Sequence, residues 1–224
     1  MIYDFKEDKP IYNKFLSQKK LLQLIEICEE NSIYYSVYTQ DSIITKNLNY
    51  NVLFYHQENA NKPDSKKTHI HIVDNIYDYV ANREESDYIK VTICDDNNII
   101  FQSIIKKLRT VKEIDVLDVG HMSRKVIKSG TEEFKIEYFY TEVSSQNVDK
   151  WTAISYLTNK LGISREEVMA IGDNINDQTM LENAGLSVAM ANSAPYIQKM
   201  AQMVTKSNNE DGVAKVIEEK VLLS

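Results

Sequence analysis

Glycine is missing from the first 119 residues of this 224-residue chain, and four of its six glycines, Gly162, Gly172, Gly185 and Gly212, punctuate the last third. Glycine supplies left-handed turns and close backbone approach to bound groups. A tight phosphate-cradling loop is therefore confined to the C-terminal part, and the first half must recognise its partners by side chains. Cysteine is scarce too. Cys28 and Cys94 lie far apart in no metal-like spacing and read as buried free thiols of a reducing compartment. No run of about 18 apolar residues occurs, and "MIYDFKEDKP" at the N-terminus has no apolar segment of the signal-peptide kind. The expectation is a cytoplasmic protein without a membrane span. Positive charge is in deficit, with 26 Lys and Arg against 33 Asp and Glu, a net charge of −7 and a pI near 5.2. A polyanion would meet repulsion rather than counterion release, so no nucleic-acid partner is expected. What remains, 43% apolar and 26% charged residues, is the balance of a soluble globular protein of one large or two modest domains.

The first half alternates short helical and strand-like patterns. "SQKKLLQLIEICEENS" sets Leu21, Leu22, Leu24, Ile25, Ile27 and Cys28 on an apolar stripe behind a Ser17 cap, a helix. "IYYSVYT", "SIIT", "NVLFYH", "THIHIV" and "YIKVTIC" are β-branched and aromatic runs bounded by Asn, Asp, Lys and Pro63, and read as strands. A helix over "NIIFQSIIKKLRT" and strands in "IDVLDVG" and "FKIEYFYTEV" complete an α+β module rich in tyrosine. His69 and His71 share one face of their strand, a spacing that some metal sites use but that reads here as surface or substrate-facing histidines. The tyrosines, among them Tyr34, Tyr35, Tyr38, Tyr138 and Tyr140, suit a sugar-phosphate pocket and suit strand propensity about as well.

The last third changes rhythm. "DKWTAISYLTNKLG" reads as a helix closed by Gly162, and Ser164 with Glu167 fits a capping box. "VMAI" and "LSVAMA" are short buried strands, each followed by a loop and a helix, the second helix opening near Pro195. Strand, loop, helix, strand, loop, helix is the pattern of a parallel sheet, whose ligands sit beyond the carboxyl ends of the strands. Asp173 and Asn192 fall at such ends. Two carboxylates four apart, Asp173 and Asp177, suit a hard cation with oxygen ligands, Mg²⁺ above all. An aspartate at a helix N-terminus is also commonly a cap, and spacing alone leaves both readings open.

The stretch from "VMAIGDNINDQTMLENAGLSVAMANSAP" through "VTKSNNEDGV" resembles the C-terminal signature of haloacid dehalogenase-like hydrolases, specifically the Cof-type (class IIB) phosphatases. The likeness lies in the G-D-x-x-N-D motif at Gly172 to Asp177, the "VAMAN" loop at Asn192 and the ending at Val204 to Val213. The resemblance implies an α/β fold, a partial Rossmann-like core made by residues 1–13 and 144–224 with an inserted α+β cap domain at 14–143. It also implies phosphoryl transfer in which an aspartate attacks phosphorus and water releases the phosphoenzyme. Asp173 and Asp177 would be the Mg²⁺ ligands, Asn176 and Asn192 would position loop and phosphate, and Lys150 would neutralise developing charge. The partner implied is a small phosphorylated metabolite such as a sugar phosphate. Trp151 stands where relatives usually carry glycine, and would narrow the approach to Lys150.

One part of the family pattern is missing. Relatives open with a strand ending D-x-D-G-T, where the first aspartate is the nucleophile and the second the general acid. Without a glycine before position 120 that motif cannot stand at this N-terminus. "MIYDFKED" has Lys6 where the second carboxylate belongs, and "TICDDNN", with Asp95, has Asn97 there. "MIYDFKEDKPIYNKFLS" aligns better with the hairpin that leads into the cap. The expectation is a truncated or split phosphatase lacking the N-terminal core strands, with exposed core edges that self-association or a separate N-terminal segment would cover. The competing expectation is a non-catalytic fragment that binds Mg²⁺ and a phosphorylated ligand.

Overall fold

The computed structural model describes residues 1–84, 87–117, 123–129 and 132–223. The chain forms two compact units, one made of Met1–Asn13 and Val148–Ser224, the other of the intervening Lys14–Asn147.

The first unit begins with an antiparallel hairpin, β1 (Ile2–Asp4) and β2 (Lys9–Tyr12). Its turn is held by the Asp4 carboxylate, which accepts hydrogen bonds from Lys6 N at 2.9 Å and Glu7 N at 3.2 Å. Those bonds outweigh a slight desolvation and hold the Asp4 pKa below its ordinary value.

The inserted unit follows with α1 (Gln18–Glu30), β3 (Tyr34–Tyr38), β4 (Ser42–Thr45), α2 (Tyr50–Asn59), β5 (His69–Ile72), α3 (Ile76–Ala81), β6 (Lys90–Asp95), α4 (Asn98–Leu108), β7 (Ile114–Val116), β8 (Ser123–Ser129) and β9 (Glu132–Ser145). The strands form a sheet in the order β5-β4-β3-β6-β9-β7, with β8 paired to β9. Period-2 alternation gives this sheet two unlike faces. Tyr35, Val37, Val91, Ile93 and Val143 point into a core completed by Leu21, Leu24, Ile25 and Cys28 of α1, Ile76 and Val80 of α3, and Phe101, Ile104 and Leu108 of α4. The residues between them, Ser36, Tyr38, Lys90, Thr92, Tyr138, Tyr140 and Glu142, fall on the opposite face. The expected helix over 17–31 forms as α1, with Ser17 Oγ accepting from Lys20 N. Burial raises the Cys28 thiol pKa far above its ordinary value, as expected of a thiol packed in a core.

Two elements depart from the sequence reading. Residues 51–56, expected as a strand, are the body of α2. The aromatic run suggests a strand only when cut off at His56, whereas Gln57 and Glu58 extend it into a helix. Asn51, Phe54, Tyr55 and Glu58, spaced i, i+3, i+4 and i+7, then line a common pocket, a helical periodicity. The second departure is α3, which the sequence reading left without an element and which Asn75 caps through a hydrogen bond from Asp78 N. Of the strand expected in 114–120, Ile114–Val116 forms as β7, and residues 118–120 lie outside the described residues.

The chain returns to the first unit with α5 (Lys150–Leu161), β10 (Met169–Gly172), α6 (Gln178–Asn183), β11 (Leu186–Ala189), α7 (Pro195–Met200), β12 (Met203–Val204) and α8 (Gly212–Ile217). β10, β11 and β12 are parallel, with Met169 opposite Leu186 and Val188 opposite Met203. Gly162 ends α5 in the left-handed conformation, φ 69°, that favours glycine. The expected Ser164–Glu167 capping box is present. Ala170, Met180 and Ala184 form a small core against which Trp151, Ile154 and Val168 pack. Among the described residues β10 has one strand neighbour, and α5 leaves Tyr156, Leu157 and Leu161 exposed. No described helix is long and apolar enough to cross a membrane.

Leu24 is fully buried at the centre of the inserted unit's core. Leu24→Ala is expected to destabilise that unit by about 2–5 kcal/mol through lost transfer energy and a residual cavity, read as a shifted denaturant midpoint in far-UV circular dichroism.

Candidate active site

The carboxyl end of β10 delivers the chain into Gly172, Asp173 and a 3-10 turn over Ile175–Asp177. Asn174 caps this turn, its Oδ1 accepting from Ile175 N at 2.8 Å. The turn folds Asp177 back over the strand end, where it is 3% exposed. Gly172 makes that possible: a Cβ built on it would lie 2.5 Å from Asp177 Cβ, closer than two carbons approach. Close approach, not a left-handed backbone, is thus what this position asks of glycine.

Asp177 organises the site. Its Oδ2 accepts from Asp173 N at 2.8 Å and Asn174 N at 3.1 Å, and its Oδ1 accepts from Lys150 Nζ. Burial alone would raise its pKa, but Lys150 and the two backbone donors outweigh burial and hold it below its ordinary value of 3.8. It is therefore a fixed anion at neutral pH. Lys150 is the first residue of α5, behind Asp149, whose carboxylate accepts from Thr152 N at 2.7 Å. The Lys150 side chain is 49% exposed, so its ammonium meets Asp177 while remaining open to a second anion.

The predicted residues divide into groups. Lys150, Asp173 and Asp177 come together, Lys150 and Asp177 through side chains and Asp173 through its amide. Asp177, expected as a metal ligand, faces inward to the loop and the lysine, while the exposed Asp173 carboxylate has no hydrogen-bond partner among the described residues. Asn176 is exposed in the same turn. Asn192, beyond the end of β11, accepts from Asn208 N at 3.0 Å and so ties its loop to the segment after β12. The loop is joined to the strand end by Met190 N donating to Gly172 O at 3.0 Å. The sequence reading missed Asn174, Asp149 and Asn208. The pairing of Asn174 with Asp177 at capping-box spacing was a legible signal for the first, and a cap immediately before Lys150 for the second.

Mg²⁺ is commonly held by one or two carboxylates, with waters and substrate phosphate oxygens completing its shell. An exposed carboxylate at Asp173 beside an ionised Asp177 fits that open mode. Among the described residues no three His, Cys, Asp or Glu side chains gather into a closed metal cage. The arrangement can offer an anionic ligand a half-exposed lysine ammonium at the mouth of a parallel sheet.

The family model for haloacid dehalogenase-like hydrolases matches residues 1–217. YxeH of Bacillus subtilis (strain 168), a provisional phosphatase by name, is 34% identical over 166 residues, 70% of this chain and 62% of that protein. The 5-amino-6-(5-phospho-D-ribitylamino)uracil phosphatase YcsE of the same organism is 30% identical over 145 residues, 65% of this chain and 51% of that protein. The chain thus spans less than two thirds of the length of either curated relative. A crystal structure of a haloacid dehalogenase-like hydrolase from Bacteroides thetaiotaomicron superposes with a TM-score of 0.69 at 26% identity, covering 97% of this chain and 72% of that one.

Two outcomes follow from the Asp177 geometry. Asp177→Asn is expected to destabilise the first unit by about 1–3 kcal/mol at neutral pH, because the amide loses the charge and turns its NH₂ toward either Lys150 or the loop amides, all of which are donors. An aspartate whose folded pKa is depressed contributes stability above its unfolded pKa and loses it as pH falls through the folded value. The native chain should therefore lose stability below its ordinary 3.8 more steeply than Asp177→Asn, as read by urea titrations at a series of acid pH values.

Proposed function

This chain belongs to the haloacid dehalogenase-like hydrolases, and we propose that it carries the phosphate-holding part of a Mg²⁺-dependent phosphatase for small phosphomonoesters such as sugar phosphates. The observation that carries this reading is the Lys150–Asp177 pair set beside the exposed Asp173 at the carboxyl end of β10. Mg²⁺, when bound, supplies charge neutralisation for a phosphoryl group without proton transfer. Around that charge Asp177 holds the Lys150 ammonium in place. Lys150 meets a phosphate oxygen through its open side, and Asn192 anchors the loop on the neighbouring strand end. The phosphatase names of relatives support the reaction class. The attacking carboxylate, in this reading, comes from polypeptide additional to this stretch, consistent with the greater length of those relatives.

A second reading, binding of Mg²⁺ and a phosphorylated ligand without turnover, is favoured by the two carboxylates that most resemble a nucleophile. Asp4 is bound into its hairpin turn by two backbone amides. Asp95 likewise accepts from Asn97 N at 2.7 Å. Both are turn-builders rather than free attacking groups.

The purified chain should bind inorganic phosphate in calorimetry only when Mg²⁺ is present. Asp173→Asn and Lys150→Met should each weaken that binding about tenfold or more, the scale of one charge-assisted contact. Turnover of p-nitrophenyl phosphate in parallel supports the catalytic reading, and binding without turnover supports the second. Failure to bind phosphate with or without Mg²⁺ would sink both.

A further inference from the structure

Away from the phosphate site, a cleft of about 350 Å³ lies wholly within the inserted unit. Its walls come from three separate stretches: residues 14–20, Glu113 just before β7, and Ser145–Gln146 at the end of β9. The chain enters this unit at Lys14 and leaves it at Asn147, so both ends of the insertion border the one cleft. The volume falls within the roughly 300–1,000 Å³ range of small-molecule sites.

Lys20 is the unusual group there. Its side chain is only 17% exposed, yet among the described residues its ammonium has long contacts alone, 3.3 Å to Glu113 Oε2 and 3.4 Å to Gln23 Oε1. A charge-assisted N–H···O bond is ordinarily about 2.7–2.9 Å, and an ammonium has three protons to place. The Glu113 side chain is 78% exposed, and a pair with so open a partner is weakly held. Glu113 also stands in the left-handed backbone region, φ 67°, which disfavours a residue with a side chain. Gln146 N fixes it there by donating to Glu113 O at 3.0 Å. Backbone strain of this kind gathers at functional sites. Lys14 brings a second ammonium to the cleft, with no ion-pair partner among the described residues.

These charges narrow the ligand by elimination. A simple anion would lie against Glu113, and a simple cation against Lys14 and Lys20. A neutral guest would strip water from the ion pair and return nothing. A zwitterion with ammonium and carboxylate on one carbon meets both signs at once. For its carboxylate the cleft holds Lys20, Lys14 and Ser17, whose Oγ accepts from Lys20 N at 3.3 Å and keeps its own proton to donate. For its ammonium there is Glu113. Beside these charges Phe15 and the buried Leu16 supply apolar surface, and Leu16 is anchored by its N–H donating to Tyr88 O at 2.8 Å. A short hydrocarbon side chain suits that wall.

We propose that this cleft is a binding site for a free α-amino acid with an aliphatic side chain, its carboxylate held by Lys20 and Lys14 and its ammonium by Glu113. The proposal does not depend on the phosphatase reading, because neither Lys150 nor Mg²⁺ takes part.

The probes are L-leucine, 4-methylpentanoate, which lacks the ammonium, and 3-methylbutylamine, which lacks the carboxylate, titrated into the full chain and read by saturation-transfer NMR and calorimetry. Leucine should bind, and each comparison compound should bind about tenfold or more weakly. Lys20→Met should weaken leucine by about the same factor. Glu113→Gln should bring leucine down to the level of 4-methylpentanoate while leaving 4-methylpentanoate no weaker, a pattern that general loss of structure does not produce. Lys62→Met, which removes a 3.0 Å pair with Glu58 elsewhere in the unit, should leave leucine binding unchanged. Absence of leucine binding at about 10 mM, binding of either comparison compound as tightly as leucine, or leucine binding indifferent to Lys20→Met and Glu113→Gln would each overturn the proposal. Loss of Mg²⁺-dependent phosphate binding alone would leave it standing, so this site and the phosphate site fail separately.

Discussion

A buried carboxylate at the end of a parallel strand governs the first unit. Asp177 accepts from Lys150 and from two successive backbone amides, and each bond performs a separate task. The amides close the turn after β10, and the ammonium draws the start of α5 to the same point. Remove the charge and three donors converge on nothing. The surrounding features follow from that requirement. Gly172 leaves room for the folded-back side chain, Asn174 caps the turn, and Asp149 starts the helix that presents Lys150. Because these groups already satisfy Asp177, the exposed Asp173 is the carboxylate of this turn left without a hydrogen-bond partner among the described residues.

The inserted unit solves a different physical problem. Its sheet must bury one face against α1, α3 and α4, and the strand period places Tyr35, Val37, Val91, Ile93 and Val143 there. The same period puts Tyr38, Lys90, Thr92, Tyr140 and Glu142 on the reverse side. That side cannot be a conventional core, since it carries an ion pair and an unpartnered hydroxyl. α2 covers it only in part, and the gap beneath is a pocket.

Much of this was readable from local pattern. The stripe of α1, the glycine at the end of α5, the Ser164–Glu167 box and the short buried strands all follow from rules that span a few residues. α2 escaped because its aromatic first half satisfies strand propensity as well as helix periodicity, and only its position over the sheet decides between them. Asn192 was placed correctly at a strand end, but its tie to Asn208 joins residues sixteen apart and leaves no local trace.

The strand, loop, helix alternation of the last third and the motifs around Gly172 to Asp177, Asn192 and Val204 to Val213 by themselves determined the class of fold and the family likeness. They did so because strand period, glycine placement and turn chemistry act over short stretches of chain. Which aspartate turns inward was decided only when Lys150, twenty-seven residues earlier, reached the same strand end. The pocket beneath α2 likewise arises from three strands and a helix far apart in sequence. Hydrogen bonding and burial are properties of where side chains meet, and that meeting is set by tertiary structure.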